Sequence, residues 1–394
     1  MGSYWVTLPA LLLAACGART APDPGRGGAG VAGASAAPTA SCQWQLGAPT
    51  SYPVGIGPAC LAAGDLDGDG DLDLVGCNTN AGTLSVLLSS GGGVFAAPHS
   101  VAAVEPTAIT IEDFDGDGLA DVAVGNGNSC SVSVYRSLGG GELADAVTRP
   151  SGCYQTELVS RDFDGDGRLD LAAANGSSAT LSVLLNQGPG FAPETAYDFG
   201  SRPSSLVAGD WNGDGRPDLA ATSWGFLPQR DSSPVLGIFE NLGEGRFFES
   251  ALSEVGGTPE VLASGDFDAD GRLDLALGQG FETQASIYLN QGAAGFAPAV
   301  NYTTGLSPIA MATGDLDADG RLDLVCANNR SSDLSVLLGV GRGTFAPSRT
   351  YAAVEQPSAM VLGDFDGDER LDIAVAGFGA NAVGVFLGRC NRED

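Results

Sequence analysis

Short apolar segments separated by polar turns make up most of the chain. Between residues 162 and 210, an acidic stretch is followed by LAAAN, TLSVLLN, FAPETAY and SLVAGD, with Gly, Asn or Pro residues between the segments. Apolar runs of this length, bounded by turn residues, predict β-strands. This part of the chain therefore predicts four short strands, and the 59 glycines among 394 residues indicate many turns and little helix.

The acidic stretch recurs seven times, at intervals of 48 or 49 residues except for one interval of 56. The copies span residues 65–73, 113–121, 162–170, 210–218, 266–274, 315–323 and 364–372. Four strands in a repeat of this length are typical of a propeller blade, and seven blades can close a ring that leaves only short strand edges. We therefore predict an all-β fold, a seven-bladed β-propeller with four-stranded antiparallel blades and a calcium-binding loop in each blade.

Each nine-residue copy carries a side-chain oxygen at positions 1, 3, 5 and 9. Acidic groups this close repel each other unless a cation lies between them. With the carbonyl at position 7, they form a cage of about six to eight oxygens, which suits Ca²⁺. The predicted ligands are Asp65, Asp67, Asp69 and Asp73; Asp113, Asp115, Asp117 and Asp121; Asp162, Asp164, Asp166 and Asp170; Asp210, Asn212, Asp214 and Asp218; Asp266, Asp268, Asp270 and Asp274; Asp315, Asp317, Asp319 and Asp323; and Asp364, Asp366, Asp368 and Asp372.

The loops differ from an EF-hand and, in places, from one another. An EF-hand requires a bidentate Glu at position 12, and none of the seven copies has a carboxylate there. Glu369 replaces the glycine at position 6 of the seventh loop, so we expect a strained turn and the weakest binding there. Asn212 removes one charge from the fourth loop, which lowers its expected affinity modestly. Ala269 and Ala318, at position 4, are expected to be harmless.

The signature GD(F/L)DGDGRxDL, followed by SVLLNxGxGxF, resembles the FG-GAP/VCBS repeat found in the integrin α-subunit propeller and in many bacterial surface proteins. The resemblance covers about residues 43–390. It implies that the metal loop joins the first and second strands of each blade. The segment 43–54 aligns with a fourth strand, whereas the chain ends after a third strand, so we expect residues 43–54 to complete the seventh blade.

The chain contains eight cysteines, and a compartment outside the cytosol would allow them to form disulfides. We expect a Cys42–Cys390 disulfide to staple the ring, and a bond closing so long a loop stabilises by several kcal/mol in the chain-entropy model. Cys60–Cys77 would join the strands that flank the first loop, and Cys130–Cys153 would join two connections on one face. The alternative for these last two pairs is that their cysteines are small buried hydrophobes. Cys326 is left free.

The N-terminus is typical of an exported protein. Residues 5–15 form an apolar run too short to span a bilayer, and Leu13-Ala14-Ala15-Cys16 resembles a bacterial lipobox. We expect residues 1–16 to be a lipoprotein signal peptide, Cys16 to be lipidated, residues 17–41 to be a flexible tether, and residues 42–394 to form the propeller. An ordinary secretory signal is the alternative. The expected location is the membrane-anchored bacterial cell envelope or surface.

Composition argues against two classes of function. The formal net charge is −30 with no basic patch, which excludes nucleic acid as a partner. His99 is the only histidine, no nucleophile motif accompanies it, and we expect no catalytic residues.

A partner would bind the face opposite the metal loops. There, the insertion 222–234 carries Trp224, Phe226 and Arg230, residue types that protein and sugar sites use. Packing of these aromatics back onto the blade is the alternative. The sequence favours a monomeric, non-catalytic adhesion or protein-interaction scaffold; a lectin-like glycan binder is the second possibility, and a polysaccharide-acting enzyme the third.

Overall fold

The computed structural model describes residues 43–225 and 233–391. Thirty-two β-strands and two 3-10 turns, Gly127–Ser129 and Gly292–Ala294, make up its regular structure, and the described residues contain no α-helix. None of their elements is therefore a helix that could cross a membrane. The predicted all-β class is confirmed.

The strands form seven four-stranded antiparallel sheets, and each sheet is a blade. The chain begins with β1 (Gln43–Leu46) and β2 (Thr50–Pro53). Blade 1 contains β3 (Pro58–Gly64), β4 (Asp73–Asn78), β5 (Thr83–Leu87) and β6 (His99–Ala102), and blade 2 contains β7 (Pro106–Glu112), β8 (Asp121–Asn126), β9 (Ser131–Tyr135) and β10 (Val147–Pro150). Blade 3 contains β11 (Gln155–Arg161), β12 (Asp170–Asn175), β13 (Thr180–Leu184) and β14 (Thr195–Asp198), and blade 4 contains β15 (Pro203–Gly209), β16 (Asp218–Ser223), β17 (Val235–Asn241) and β18 (Phe247–Glu254).

The remaining three blades follow the same order. Blade 5 contains β19 (Pro259–Gly265), β20 (Asp274–Gln279), β21 (Gln284–Tyr288) and β22 (Val300–Thr303). Blade 6 contains β23 (Pro308–Gly314), β24 (Asp323–Asn328), β25 (Asp333–Leu337) and β28 (Arg349–Ala352), with a small hairpin of β26 (Gly339–Gly341) and β27 (Thr344–Phe345) between its last two strands. Blade 7 contains β29 (Pro357–Gly363), β30 (Asp372–Gly377) and β31 (Ala382–Phe386), and β32 (Gly388–Asn391) follows it.

The ring closes as the sequence predicts, because the N-terminal β2 is the fourth strand of blade 7. Tyr52 pairs with Val383 in this closure. β1 also pairs with β32, which places Trp44 opposite Cys390 in the backbone register. Cys42 precedes the described residues, so its predicted disulfide with Cys390 lies outside them.

Hydroxyl groups join the innermost strands of neighbouring blades. The second residue of four of these strands donates to a backbone carbonyl of the next blade's first strand, at 2.7 to 3.2 Å. The pairs are Thr107 with Gln155, Thr156 with Pro203, Ser204 with Pro259, and Ser358 with Pro58. Since both the hydroxyl-bearing residues and the residues whose carbonyls they bind are buried, these bonds satisfy carbonyls that water cannot reach.

Tyrosines on the outermost strands fill the gaps between several blades. Tyr52, Tyr197 and Tyr302 each stack edge-on against a phenylalanine of the next blade, with ring centroids 5.4 to 5.8 Å apart. The tyrosine hydroxyl also accepts the backbone N–H of that same phenylalanine, in the pairs Phe95 to Tyr52, Phe247 to Tyr197 and Phe345 to Tyr302. This contact, which we call the tyrosine packing rule, therefore recurs at three of the interblade gaps.

Candidate metal loops and the opposite face

Each acidic loop connects the first strand of its blade to the second strand, as the family resemblance implies. Loop 1 leaves β3 at Gly64 and enters β4 at Asp73, and the other six loops occupy the same place. Because alternate connections of an up-and-down blade emerge on opposite ends, all seven loops lie on one face, which we call the loop face. The second-to-third and fourth-to-first connections lie on the other end, which we call the opposite face.

The aspartate at position 9 is fully buried and is held by two backbone N–H groups. In loop 1, Leu66 N–H donates to one carboxylate oxygen of Asp73 at 2.9 Å, and Ser89 N–H donates to the other at 2.7 Å. The equivalent aspartates repeat both contacts in all seven blades. Position 9 therefore ties the loop to the end of the third strand, a role that the sequence pattern alone does not reveal.

Burial raises the pKa of these position-9 aspartates. Loss of solvation raises the pKa of Asp73, Asp121, Asp170, Asp218, Asp274 and Asp372 to about 6, and that of Asp323 to about 7. The two backbone N–H donors oppose this shift because they stabilise the carboxylate. Neighbouring loop carboxylates add to it by repulsion. A bound cation would reverse that balance.

The side chains at positions 1 and 3 accept hydrogen bonds from the loop's own backbone. In loop 3, Asp162 accepts the N–H groups of Gly165, Asp166 and Gly167, and Asp164 accepts that of Asp166. One oxygen each from positions 1, 3 and 9 then lies within 4.8 Å of the others. Triads of this kind include Asp65, Asp67 and Asp73; Asp113, Asp115 and Asp121; Asp162, Asp164 and Asp170; Asp266, Asp268 and Asp274; and Asp315, Asp317 and Asp323.

Position 5 behaves differently from the other predicted ligand positions. One oxygen of Asp166 accepts the N–H of Arg168, and the other pairs with the Arg168 guanidinium. The same arginine pairing is present in loops 4, 5, 6 and 7. The structure thus brings positions 1, 3 and 9 together and, in loops 3 to 7, turns position 5 toward arginine. Ligation by position 5 stays a prediction.

The donor set fits a hard divalent cation. Among the described residues, Asp268 Oδ1 and Asp317 Oδ1, at position 3 of loops 5 and 6, are buried and have no hydrogen-bond donor. Burial also raises the pKa of both carboxyls, with repulsion from positions 5 and 1 of the same loop as the next cause. Buried, unpartnered oxygens beside two further carboxylates are expected where a cation completes the site. All of the side-chain donors are oxygen, which suits Ca²⁺ or Mg²⁺ rather than a thiolate-binding metal.

Backbone conformation explains the glycines of the loop. Position 6 has a positive φ in every copy, and Glu369 adopts +64° there, which is the strained turn that the sequence predicts. Its N–H still donates to Asp364 at 2.8 Å, so the loop keeps its shape. Position 4 also has a positive φ, and Ala269 and Ala318 adopt +60° and +57°. These two alanines therefore carry a conformational cost that the sequence interpretation did not include.

Two of the three predicted cysteine pairs lie within the described residues, and both are disulfides. Cys60 and Cys77 are register partners on β3 and β4 and form a disulfide. Cys130 and Cys153 form a second disulfide on the opposite face, between the β8–β9 and β10–β11 connections. Cys326 is a free, buried thiol. Cys16 lies outside the described residues.

The described residues include only part of the predicted partner site. The Trp224 indole N–H donates to Glu260 at 3.1 Å, so this half-buried ring packs toward the innermost strand of blade 5. Phe226 and Arg230 lie outside the described residues. Other connections of the opposite face carry exposed apolar side chains: Ile56, Val104, Phe281 and Leu306. Arg330 lies over the Phe281 ring, 4.8 Å from its centroid.

Recurrent asparagines on this face are structural. Asn78, Asn126, Asn175 and Asn328 are buried at the ends of second strands, and each donates to two side-chain oxygens of the third strand. Their amides hold the strand connection and are not available to sugar hydroxyls.

Comparison with known proteins identifies the repeat. A family model described as an FG-GAP-like repeat matches residues 65–124, 162–221, 266–326 and 315–375, together more than half of the chain. No curated protein matches the sequence. The solved structure of BBS1N in complex with ARL6DN is similar, with a TM-score of 0.63 and 14% identity over 87% of this chain and 96% of that chain.

A second similar structure is that of an Agrocybe aegerita lectin that recognises non-reducing terminal N-acetylglucosamine. It has a TM-score of 0.50 and 18% identity over 84% of this chain and 86% of the lectin chain. At these identities, both similarities concern the fold alone.

Proposed function

Because the chain belongs to the FG-GAP-like repeat family of β-propellers, we propose that it is a non-catalytic, calcium-binding scaffold of the bacterial cell envelope that binds a protein partner through its opposite face. The observation that carries the proposal is the difference between the two faces of the propeller. The loop face is used by seven near-identical metal loops that fasten the first hairpin of each blade. The opposite face is variable in sequence and carries exposed apolar side chains.

Calcium supports this scaffold in a structural role. Bound Ca²⁺ would neutralise the converging carboxylates at positions 1, 3 and 9 of a loop. The protein's own contribution is to preorganise those oxygens, because backbone N–H groups already orient the aspartates at positions 1 and 9. An ion in each loop would then lock the first strand to the third through the buried aspartate.

The opposite face supplies the chemistry for a protein partner. Phe281 is 56% exposed and lies under the Arg330 guanidinium, an aromatic-arginine pair of the type enriched in interface hot spots. Ile56, Val104 and Leu306 extend the apolar character around the ring of connections. BBS1N, the similar propeller named above, is recorded in complex with another protein, ARL6DN, which is consistent with this use of the fold.

Glycan binding is the second candidate. A similar propeller recognises terminal N-acetylglucosamine, and an exposed aromatic ring such as Phe281 can pack against a sugar face. An enzyme acting on polysaccharide is the third, and carboxylate pairs are its only candidate groups.

Binding assays separate these candidates. Immobilised protein in calcium is exposed to extracts of the native envelope and, separately, to a glycan array. We expect capture of a protein that Phe281→Ser weakens by about tenfold or more, as for an interface hot spot. Leu242→Ser is the matched control, because Leu242 is also 56% exposed but lies on the loop face. Glycan-array binding without protein capture would favour the lectin, and turnover of envelope polysaccharide would favour the enzyme.

The membrane anchor is a separate proposal with its own test. Lipidation of Cys16 would hold the propeller at the membrane surface through the tether 17–41. Mass spectrometry of the mature N-terminus should show a diacylated cysteine, and Cys16→Ser should release the protein into the soluble fraction. An unmodified N-terminus further along the chain would instead support an ordinary secretory signal.

A further inference from the structure

The gap between blades 4 and 5 breaks the tyrosine packing rule. In blades 3, 5, 6 and 7, a tyrosine stands opposite the second residue of the third strand, as Tyr197 does opposite Leu181. In blade 4 the corresponding residue, opposite Leu236, is Ser253. The side chain that stands at this position in those four blades is therefore absent here.

The other two exceptions are compensated. In blade 1 the corresponding Val101 packs in one apolar cluster with Leu143 of blade 2. In blade 2 it is Arg149, whose guanidinium donates to the Phe191 carbonyl of blade 3 at 2.9 Å. Serine is too short to do either.

A cavity of about 690 Å³ occupies the gap beside Ser253. This volume falls in the range of about 300–1,000 Å³ that is typical of small-molecule pockets. Blade 4 contributes Trp211, Leu236 and Ile238 to its walls, and blade 5 contributes Tyr288 and Phe296. The walls are thus mainly apolar and aromatic.

The N–H donors in these walls differ from those in the other gaps. The Phe296 N–H lies between the turn bonds Gln291 N–H to Gly295 O and Ala297 N–H to Leu289 O, and Ser253 stands where a tyrosine hydroxyl would accept it. The equivalent N–H groups of Phe95, Phe247 and Phe345 bind a tyrosine hydroxyl. The indole N–H of Trp211, a buried side chain, has no partner among the described residues.

We propose that this cavity binds a small phenol, and prefers one that carries a positive charge. The phenol ring would stack on Phe296 as the protein's own tyrosines stack on their phenylalanines, and its hydroxyl would accept the Phe296 N–H. Glu240 and Glu254 line the cavity together with Asn212 and Asp218 of loop 4, and no Arg is among the described residues that line it, which favours a cation. This site lies between blades and is independent of the opposite face.

The test compares three soluble probes by calorimetric titration of the intact protein. Tyramine should bind about fivefold more tightly than phenethylamine, which lacks the hydroxyl and so forfeits about one neutral hydrogen bond. Tyramine should also bind more tightly than 4-hydroxyphenylacetate, whose charge is opposite. Equal affinity for tyramine and phenethylamine, or no saturable binding of tyramine, overturns the proposal.

Variants locate the site. Ser253→Tyr restores the missing tyrosine and should abolish tyramine binding while the protein stays folded. Ser51→Tyr is the matched control, since Ser51 is exposed on the outer strand of blade 7 and lies away from the cavity. Tyr302→Ser should open a second cavity at Phe345 and raise the stoichiometry to about two. Undiminished binding by Ser253→Tyr would place the phenol elsewhere and overturn the assignment.

Discussion

The two faces of the propeller differ in how much they repeat. On the loop face, the same nine-residue geometry recurs seven times, down to the two backbone N–H donors on each position-9 aspartate. On the opposite face, the connections vary in length, and the one between β16 and β17 is longer than its equivalents. These connections also carry the Cys130–Cys153 disulfide and the exposed Phe281. The repeated geometry of the loop face serves a structural role that every blade shares, whereas the variable connections of the opposite face can provide a surface for one specific partner.

The largest expected effect comes from removing a position-9 carboxylate. Asp170→Ala leaves the N–H groups of Phe163 and Asn186 buried without an acceptor, so we expect a loss of about 2–5 kcal/mol of unfolding free energy. Chemical denaturation in chelator measures this loss without any metal contribution. Asp166→Ala in the same loop is the control and should cost under about 1 kcal/mol, because its arginine pair is exposed. An equal loss of unfolding free energy in the two variants would contradict the claim that position 9 holds the loop and position 5 does not.

A buried acid near the opposite face should give a pH dependence of its own. Burial raises the pKa of Glu260 to about 8, and the Trp224 N–H opposes that shift. The folded protein thus holds a proton that the unfolded chain releases above about pH 4.5. This contribution to stability is complete below that pH and is lost as the pH rises toward 8, at about 1.4 kcal/mol per pH unit.

Glu260→Gln isolates this effect, because every other titrating group is common to both proteins. The variant should gain stability relative to the parent between pH 5 and pH 8, as measured by denaturation at each pH. A stability difference that does not change with pH would show that Glu260 titrates normally. Trp224→Phe is the companion variant, and it should increase the pH dependence because it removes the donor to Glu260.

The smallest expected effect concerns the one loop that departs from the repeat. Glu369→Gly relieves a positive φ and should stabilise the protein by about 1 kcal/mol. It should also strengthen calcium binding by the seventh loop, because the empty loop then keeps the binding conformation at lower cost. Glu244→Gly is the matched control: its φ is +55° in a turn outside the metal loops. It should give a similar gain in stability with no change in calcium titration.

Much of the fold was predictable because the repeated sequence marks where each blade begins and ends. The period, the turn residues and the unmatched third strand at the C-terminus predict seven blades and the closure by β2, and both are present. The metal loops were recognisable because positions 1, 3, 5 and 9 repeat in sequence. The arginine pairing of position 5 was not, since it depends on which way a side chain turns after the loop has formed.

The features that the sequence did not reveal depend on strand pairing between distant residues. The double contact of Asp73 joins residues that are 7 and 16 positions away. The cavity at Ser253 becomes apparent only when the outer strands are aligned by their partners on the third strands. A single serine in an exposed strand gives no signal of its own. The sequence placed the partner surface in the insertion, whereas the exposed phenylalanine that the structure describes on the opposite face, Phe281, lies in the next second-to-third-strand connection.

The most direct test of the central claim is the effect of calcium on thermal unfolding of the intact protein. If the loops clamp each blade, saturating Ca²⁺ should raise the melting temperature by at least about 10 °C over the protein in chelator, since several sites contribute by mass action. Calcium bound per chain should approach the number of loops, with the loop from Asp364 to Asp372 filling last. Identical melting curves in calcium and in chelator would contradict the claim that the loop face is a metal clamp.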